Sequence, residues 1–78
     1  MTMSMETACQ KIADQLKIDV AKVKPESRLV EDLKADSLDL VELIMDLEQE
    51  YHIEIPDEVL PTLKTVQDVV DYFNAQNQ

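Results

Sequence analysis

A chain of 78 residues with a formal net charge of -10 and no glycine makes one domain at most, 1–78, and buries only about 60% of its unfolded surface. Phosphates would be repelled by this charge and the few aromatics offer no stacking platform, which excludes nucleic acid, and no apolar run nears the ~20 residues of a bilayer span. The start, Met1 to Glu6, lacks the basic-then-apolar pattern of a signal peptide, so a cytosolic location is expected.

In chain order, the first helix is predicted to begin near Ser4, an N-cap with Glu6 favouring the dipole in the first turn. Cys9, Ile12, Ala13 and Leu16 then follow at i, i+3, i+4, i+7 spacing and form one buried stripe. As the single cysteine, Cys9 excludes an intrachain disulfide and a cysteine-based zinc site, and it reads as a small buried apolar side chain. A long connection spans about Lys17 to Ala35, with Pro25 barring a helix. Ile18, Val20, Val23, Leu29, Val30 and Leu33 predict that this loop is pinned across the core, with a short helical turn in it.

The second helix is predicted from Asp36 or Ser37 to about Tyr51. At 100° per residue Leu40, Leu43, Ile44, Leu47 and Tyr51 share one arc, the core face. Asp36, Asp39, Glu42, Asp46 and Glu50 share an adjacent acidic arc. Leu38, Val41 and Met45 make a separate apolar stripe, roughly opposite the first. The acids are concentrated here: residues 31–58 hold eleven of the seventeen, with Lys34 as the one basic residue among them. Such a surface suits basic protein partners. A short third helix is predicted at Ile55-Pro56-Asp57-Glu58, cut by Pro61. Thr65 caps a last helix with Asp68 three residues on; Val66, Val69, Val70 and Phe73 supply its buried stripe, and polar Asn74 to Gln78 should fray. The fold class is all-α, a small four-helix bundle of three main helices plus one short helix, with a long loop between helices 1 and 2.

Ser37 stands where the loop gives way to the acidic helix. As a residue type it serves as an N-cap. A hydrolytic nucleophile does not fit, because there is no Gly-x-Ser-x-Gly elbow and the lone His52, a surface or helix-end residue, lies about four turns away. A calcium loop does not fit either, since an EF-hand needs glycine at its sixth position. An acidic helical adaptor in which Ser37 is only a cap stays open on the residues alone.

The run Glu31-Asp32-Leu33-Lys34-Ala35-Asp36-Ser37-Leu38-Asp39-Leu40-Val41-Glu42-Leu43 resembles the prosthetic-group site of acyl carrier proteins, and the likeness extends through Met45-Asp46-Leu47-Glu48 to Ile53-Glu54-Ile55-Pro56-Asp57-Glu58. The resemblance implies a non-enzymatic monomeric carrier of growing acyl chains, held as thioesters on 4'-phosphopantetheine attached to Ser37, in bacterial type II fatty acid biosynthesis. A carrier for a polyketide, aminoacyl or other specialised pathway shares these features. A phosphopantetheinyl transferase (holo-carrier synthase) would install the arm from coenzyme A with Mg²⁺, and acyltransferases, ketosynthases and other synthesis enzymes with basic docking surfaces would be the partners. Recognition is expected at Asp36, Leu38, Asp39, Val41, Glu42, Met45, Asp46 and Glu48, and an acyl pocket at Leu47, Ile55, Leu60 and Leu63. Electrostatics agrees with a covalent link. A phosphodiester gains about 0.3–1 kcal/mol at a helix N-terminus but loses about 1 kcal/mol to each aspartate at ~4 Å in water. Lys17 and Lys34 stand where many relatives have glycine, and a positive φ there would cost about 1 kcal/mol or more. Gln49 stands where many have an acid.

Overall fold

Residues 3–76 are described by a computed structural model. Helix α1 spans Met5–Leu16. Ser4 is extended and its hydroxyl accepts the Thr7 N–H at 3.1 Å, which satisfies one of the orphan donors of the first turn. Cys9, Ile12 and Ala13 are buried, joined by Ala8, while Leu16 packs half-buried on the rim of the core. Burial raises the Cys9 thiol above its ordinary pKa, which keeps it protonated and unreactive.

The connection to α2 carries a 3₁₀ turn at Val20–Lys22, capped by Asp19, whose carboxylate accepts the Ala21 N–H at 3.0 Å. Val23, Leu29 and Leu33 are buried, so the loop is pinned as its apolar residues predict. Backbone bonds also zip it to the entrance of the last helix: Leu29 N–H to the Lys64 carbonyl (2.9 Å), Val66 N–H to Ser27 (3.1 Å) and Gln67 N–H to Pro25 (2.9 Å). Arg28 closes its own turn, with its guanidinium on Glu31 (2.6 Å) and Asp32 (3.2 Å) and its N–H on Asp32 (2.9 Å). Arg28's hydrogen bonds hold the Asp32 carboxyl below its ordinary value. This contribution is present above the unfolded carboxylate pKa and is lost as pH falls through the lowered one.

Helix α2 spans Ser37–Tyr51 and buries Leu43, Ile44, Leu47 and Tyr51, with Leu40 half-buried. Helix α3 spans Val66–Gln76 and buries Val66, Val69, Val70 and Phe73. Its start is held by the predicted reciprocal pair: Asp68 N–H to Thr65 Oγ1 and Thr65 N–H to Asp68 Oδ2, both 3.1 Å. Phe73, fully buried, meets Tyr51 of α2 at a ring separation of 5.9 Å and a tilt of 56°. Burying a side chain of this size stabilises by about 1.5–3 kcal/mol. Helix α1 packs against both α2 and α3, and a Lys11–Glu50 ion pair ties it to α2. Among the described residues there is no strand, so the all-helical fold class stands; Arg28 and Thr65 make an isolated antiparallel bridge.

Two local expectations change. The short third helix is not an α-helix starting at Ile55. Pro56 to Val59 forms a turn (Val59 N–H to Pro56 carbonyl, 2.9 Å), followed by a 3₁₀ turn at Leu60–Thr62 that contains Pro61 instead of ending before it. The last helix does not fray at Asn74. Asn74 Oδ1 accepts the Met3 N–H at 2.7 Å and its Nδ2 donates to the Met3 carbonyl at 3.1 Å, so α3 continues to Gln76; residues 77 and 78 lie outside the described part. Among the described residues, three hold a positive φ: Lys17 (58°), Lys34 (62°) and His52 (56°). Lys17 and His52 are the C-caps of α1 and α2.

Candidate functional site

The first turn of α2 settles the job of Ser37 as a residue of the fold. Asp36, extended at φ -91° and ψ 179°, is the N-cap. Its Oδ1 accepts the Asp39 N–H at 2.9 Å, and Asp39 Oδ2 accepts the Asp36 N–H at 3.4 Å. This is a reciprocal capping box, and Ser37 is therefore the first helical residue and not the cap. Its side chain is exposed, and no hydrogen bond of the described residues uses its hydroxyl. The two neighbouring carboxylates each receive a backbone N–H, so the helix start tolerates their charge. Asp36 is exposed and Asp39 half-buried.

Ser37 also lies on the wall of an apolar cavity of about 230 Å³, with Leu29, Leu40, Val41, Ile44, Leu60, Pro61 and Leu63. Of the four predicted pocket residues, Leu60 and Leu63 line it, whereas Leu47 and Ile55 are buried in the central core instead. Helical rise explains the difference: Leu47 is ten residues beyond Ser37, about 15 Å along the axis, while Leu40 and Ile44 lie within about 10 Å. Leu29 was missed because it belongs to the loop; its apolar character in a polar segment was the available signal.

Leu38, Val41 and Met45 are 74%, 46% and 52% exposed, so the second stripe is free of the core. Glu42 and Asp46 are exposed beside it, and Glu42 accepts a hydrogen bond from Gln15 Nε2 of α1 at 2.9 Å. Glu48 departs from the expected recognition face. It sits about 40° from Ile44 around the helix but about 120° from Glu42, and is half-buried. Its Oε2 accepts the Ile55 N–H at 2.7 Å, and its carbonyl accepts the Ile53 N–H at 3.1 Å. Glu48 thus ties the C-terminal end of α2 to the segment that follows. Glu48→Ala leaves the Ile55 N–H without its partner and is expected to cost about 1–3 kcal/mol, read as a lower urea midpoint. An unchanged midpoint would deny Glu48 this role.

His52 sits exposed at the far end of α2, and among the described residues no group of three or more His, Cys, Asp and Glu is placed to hold a metal ion. The site therefore consists of an exposed hydroxyl, an apolar cavity and an acidic helix face. The family model for the phosphopantetheine attachment site matches residues 6–73. An acyl carrier protein of Helicobacter hepaticus is 58% identical over 64 residues, covering 82% of this chain and 84% of that protein. One of Thermosynechococcus vestitus is 62% identical over 63 residues (81% and 78%), and one of Clostridium acetobutylicum 54% over 67 residues (86% and 87%). The chain belongs to the acyl carrier protein family. Members of the acyl carrier protein family are carriers, not enzymes, and this chain's prosthetic group is a covalently attached 4'-phosphopantetheine. The residues around α2 fit such a group: a hydroxyl free of cap duty, open to solvent, at the positive end of a helix, next to apolar space. When bound, the arm supplies the thiol on which an acyl chain is held.

Proposed function

We propose that Ser37 bears the 4'-phosphopantetheine and that the protein carries growing acyl chains for fatty acid biosynthesis, as one carrier domain over 1–78 working as a monomer in the cytoplasm. The observation that carries this reading is the capping box, which leaves Ser37 at the first helical position with an uncommitted hydroxyl on the cavity wall. The same observation counts against an adaptor in which Ser37 is only a cap. The chain contributes position, not chemistry: Asp36 and Asp39 fix the helix start with their carboxylates on backbone N–H groups, and no described residue accepts a hydrogen bond from the Ser37 hydroxyl. A phosphopantetheinyl transferase must bring base and metal. Intact mass after incubation with that enzyme, coenzyme A and Mg²⁺ tests the reading, with one added arm expected and an unchanged mass opposing it.

Leu60 and Leu63, with Leu29, Leu40 and Ile44, are the residues proposed to shelter the acyl chain. A cargo bound only by the native state stabilises that state, so medium-chain acylation should raise the melting temperature.

Docking is proposed on the exposed stripe, Leu38, Val41 and Met45, rimmed by Asp36, Asp39, Glu42 and Asp46. Acyltransferases, ketosynthases and the transferase would meet it with basic surfaces; the acids steer the encounter and the stripe supplies modest burial. Glu42→Lys should slow transfer several-fold at low salt through association, with the deficit shrinking as salt is added. Its stability should stay within about 0.5 kcal/mol of wild type. A transfer rate untouched at low salt would move the docking surface elsewhere.

A further inference from the structure

Met3, Met5 and Met45 fall among the described residues, and their surroundings differ sharply. Met3 is buried, at 2% exposure, and Met5 packs half-buried against the core. Met45 is 52% exposed in the middle of α2, on the outward stripe with Leu38 and Val41. The one cysteine, Cys9, is buried in α1, with its thiol held protonated. Among the described residues, the sulfur that an oxidant in solution meets first is therefore the Met45 thioether. It is also the only sulfur on the exposed stripe.

We propose that Met45 is an oxidation site, and that its sulfoxide weakens docking of the carrier on its partner enzymes while leaving the fold intact. The inference rests on the proposed docking stripe. A neutral hydroperoxide suits the site, because Glu42 and Asp46, exposed beside it, would repel an anionic oxidant. The thioether sulfur gives an electron pair to one peroxide oxygen and the O–O bond breaks. The proton of the attacked oxygen passes to the departing one, which leaves as an alcohol, or as water from hydrogen peroxide. Sulfur is oxidised by two electrons and the peroxide reduced by two. No side-chain proton has to be lost first, unlike at a thiol. A sulfoxide reductase fed by a dithiol reverses the step: the oxygen leaves as water and the thiols close to a disulfide. Pressed against an apolar partner surface, the new S–O dipole loses its water without replacement. In the free protein it stays solvated, so the native state loses nothing. Formal charge does not change, so the acids go on steering the encounter and the loss falls on the lifetime of the complex.

The test uses the apo protein as substrate of a phosphopantetheinyl transferase, so that no arm thiol is present to be oxidised. Wild type and Met45→Leu are treated with hydrogen peroxide, desalted, and each compared with its own untreated form. Peptide mass spectrometry should find one added oxygen at Met45 before any at Met3 or Met5. Oxidised wild type should show a several-fold lower kcat/KM, carried by KM, with unchanged salt dependence and melting temperature. Methionine sulfoxide reductase with a dithiol should restore it, and peroxide should leave the rate of Met45→Leu where it was. Earlier oxidation of Met3 or Met5, a rate unmoved by full conversion of Met45, or a lowered melting temperature each overturns the proposal. Met45→Gln, polar from the outset, tells this failure from that of the docking reading. If Met45→Gln transfers slowly and the sulfoxide does not, the oxidation inference alone has failed. If both transfer like untreated wild type, the stripe is not the docking surface and the role of Met45 falls with it.

Discussion

Ser37→Ala will gain no mass with coenzyme A, Mg²⁺ and a phosphopantetheinyl transferase, yet will unfold within about 0.5 kcal/mol of wild type. The small stability effect follows from the capping box. Asp36 holds the helix start, so deleting an exposed hydroxyl at the next position removes no native hydrogen bond. Asp36→Ala is the complementary variant: it keeps the hydroxyl but removes the cap, at a cost of about 0.5–2 kcal/mol. Mass spectrometry and urea unfolding on the two variants separate attachment from capping. A modified Ser37→Ala protein would sink the assignment, and a strongly destabilised one would return Ser37 to the fold.

The largest gain in stability is expected from glycine at Lys17 and Lys34. Both hold left-handed backbone, at φ 58° and 62°, and both side chains are exposed. A residue with a Cβ is strained there by about 1 kcal/mol or more, and glycine is not. The two positions share no hydrogen bond, so their effects should add to about 2 kcal/mol. At about 4–8 °C per kcal/mol for a domain of this size, the double variant should melt clearly above wild type while still accepting the arm. A melting temperature at or below wild type would mean that the freedom glycine gives the unfolded chain outweighs the relief.

What the sequence reveals here is mostly periodic or local. The stripes on α1, α2 and α3 are legible because a buried helix face repeats every three to four residues. The Thr65–Asp68 pair is legible because its partners are three residues apart. Asp36 and Ser37 were harder to order, since both are good N-caps and stand side by side; only backbone geometry tells the cap from the first helical residue. Glu48 resembles its acidic neighbours until His52 turns left-handed and brings the Ile55 N–H back over it. The role of Asn74 depends on Met3, seventy-one residues away in sequence, and no local pattern carries that. The segment from Ile55 to Thr62 misled because Pro56 suits a first helical turn equally well as the tighter turns that form.

The Met3–Asn74 contact has a consequence for the order of the chain. Two hydrogen bonds between backbone and side chain bring the two ends of the fold together, so a short linker would suffice to join them into a ring. A covalent ring deprives the unfolded chain of freedom while asking little of the native one. Reopened within the exposed part of the 17–35 connection, such a ring would yield a permuted polypeptide in which α2 comes first and α1 last, with Ser37 near the new beginning and the three-helix core unchanged.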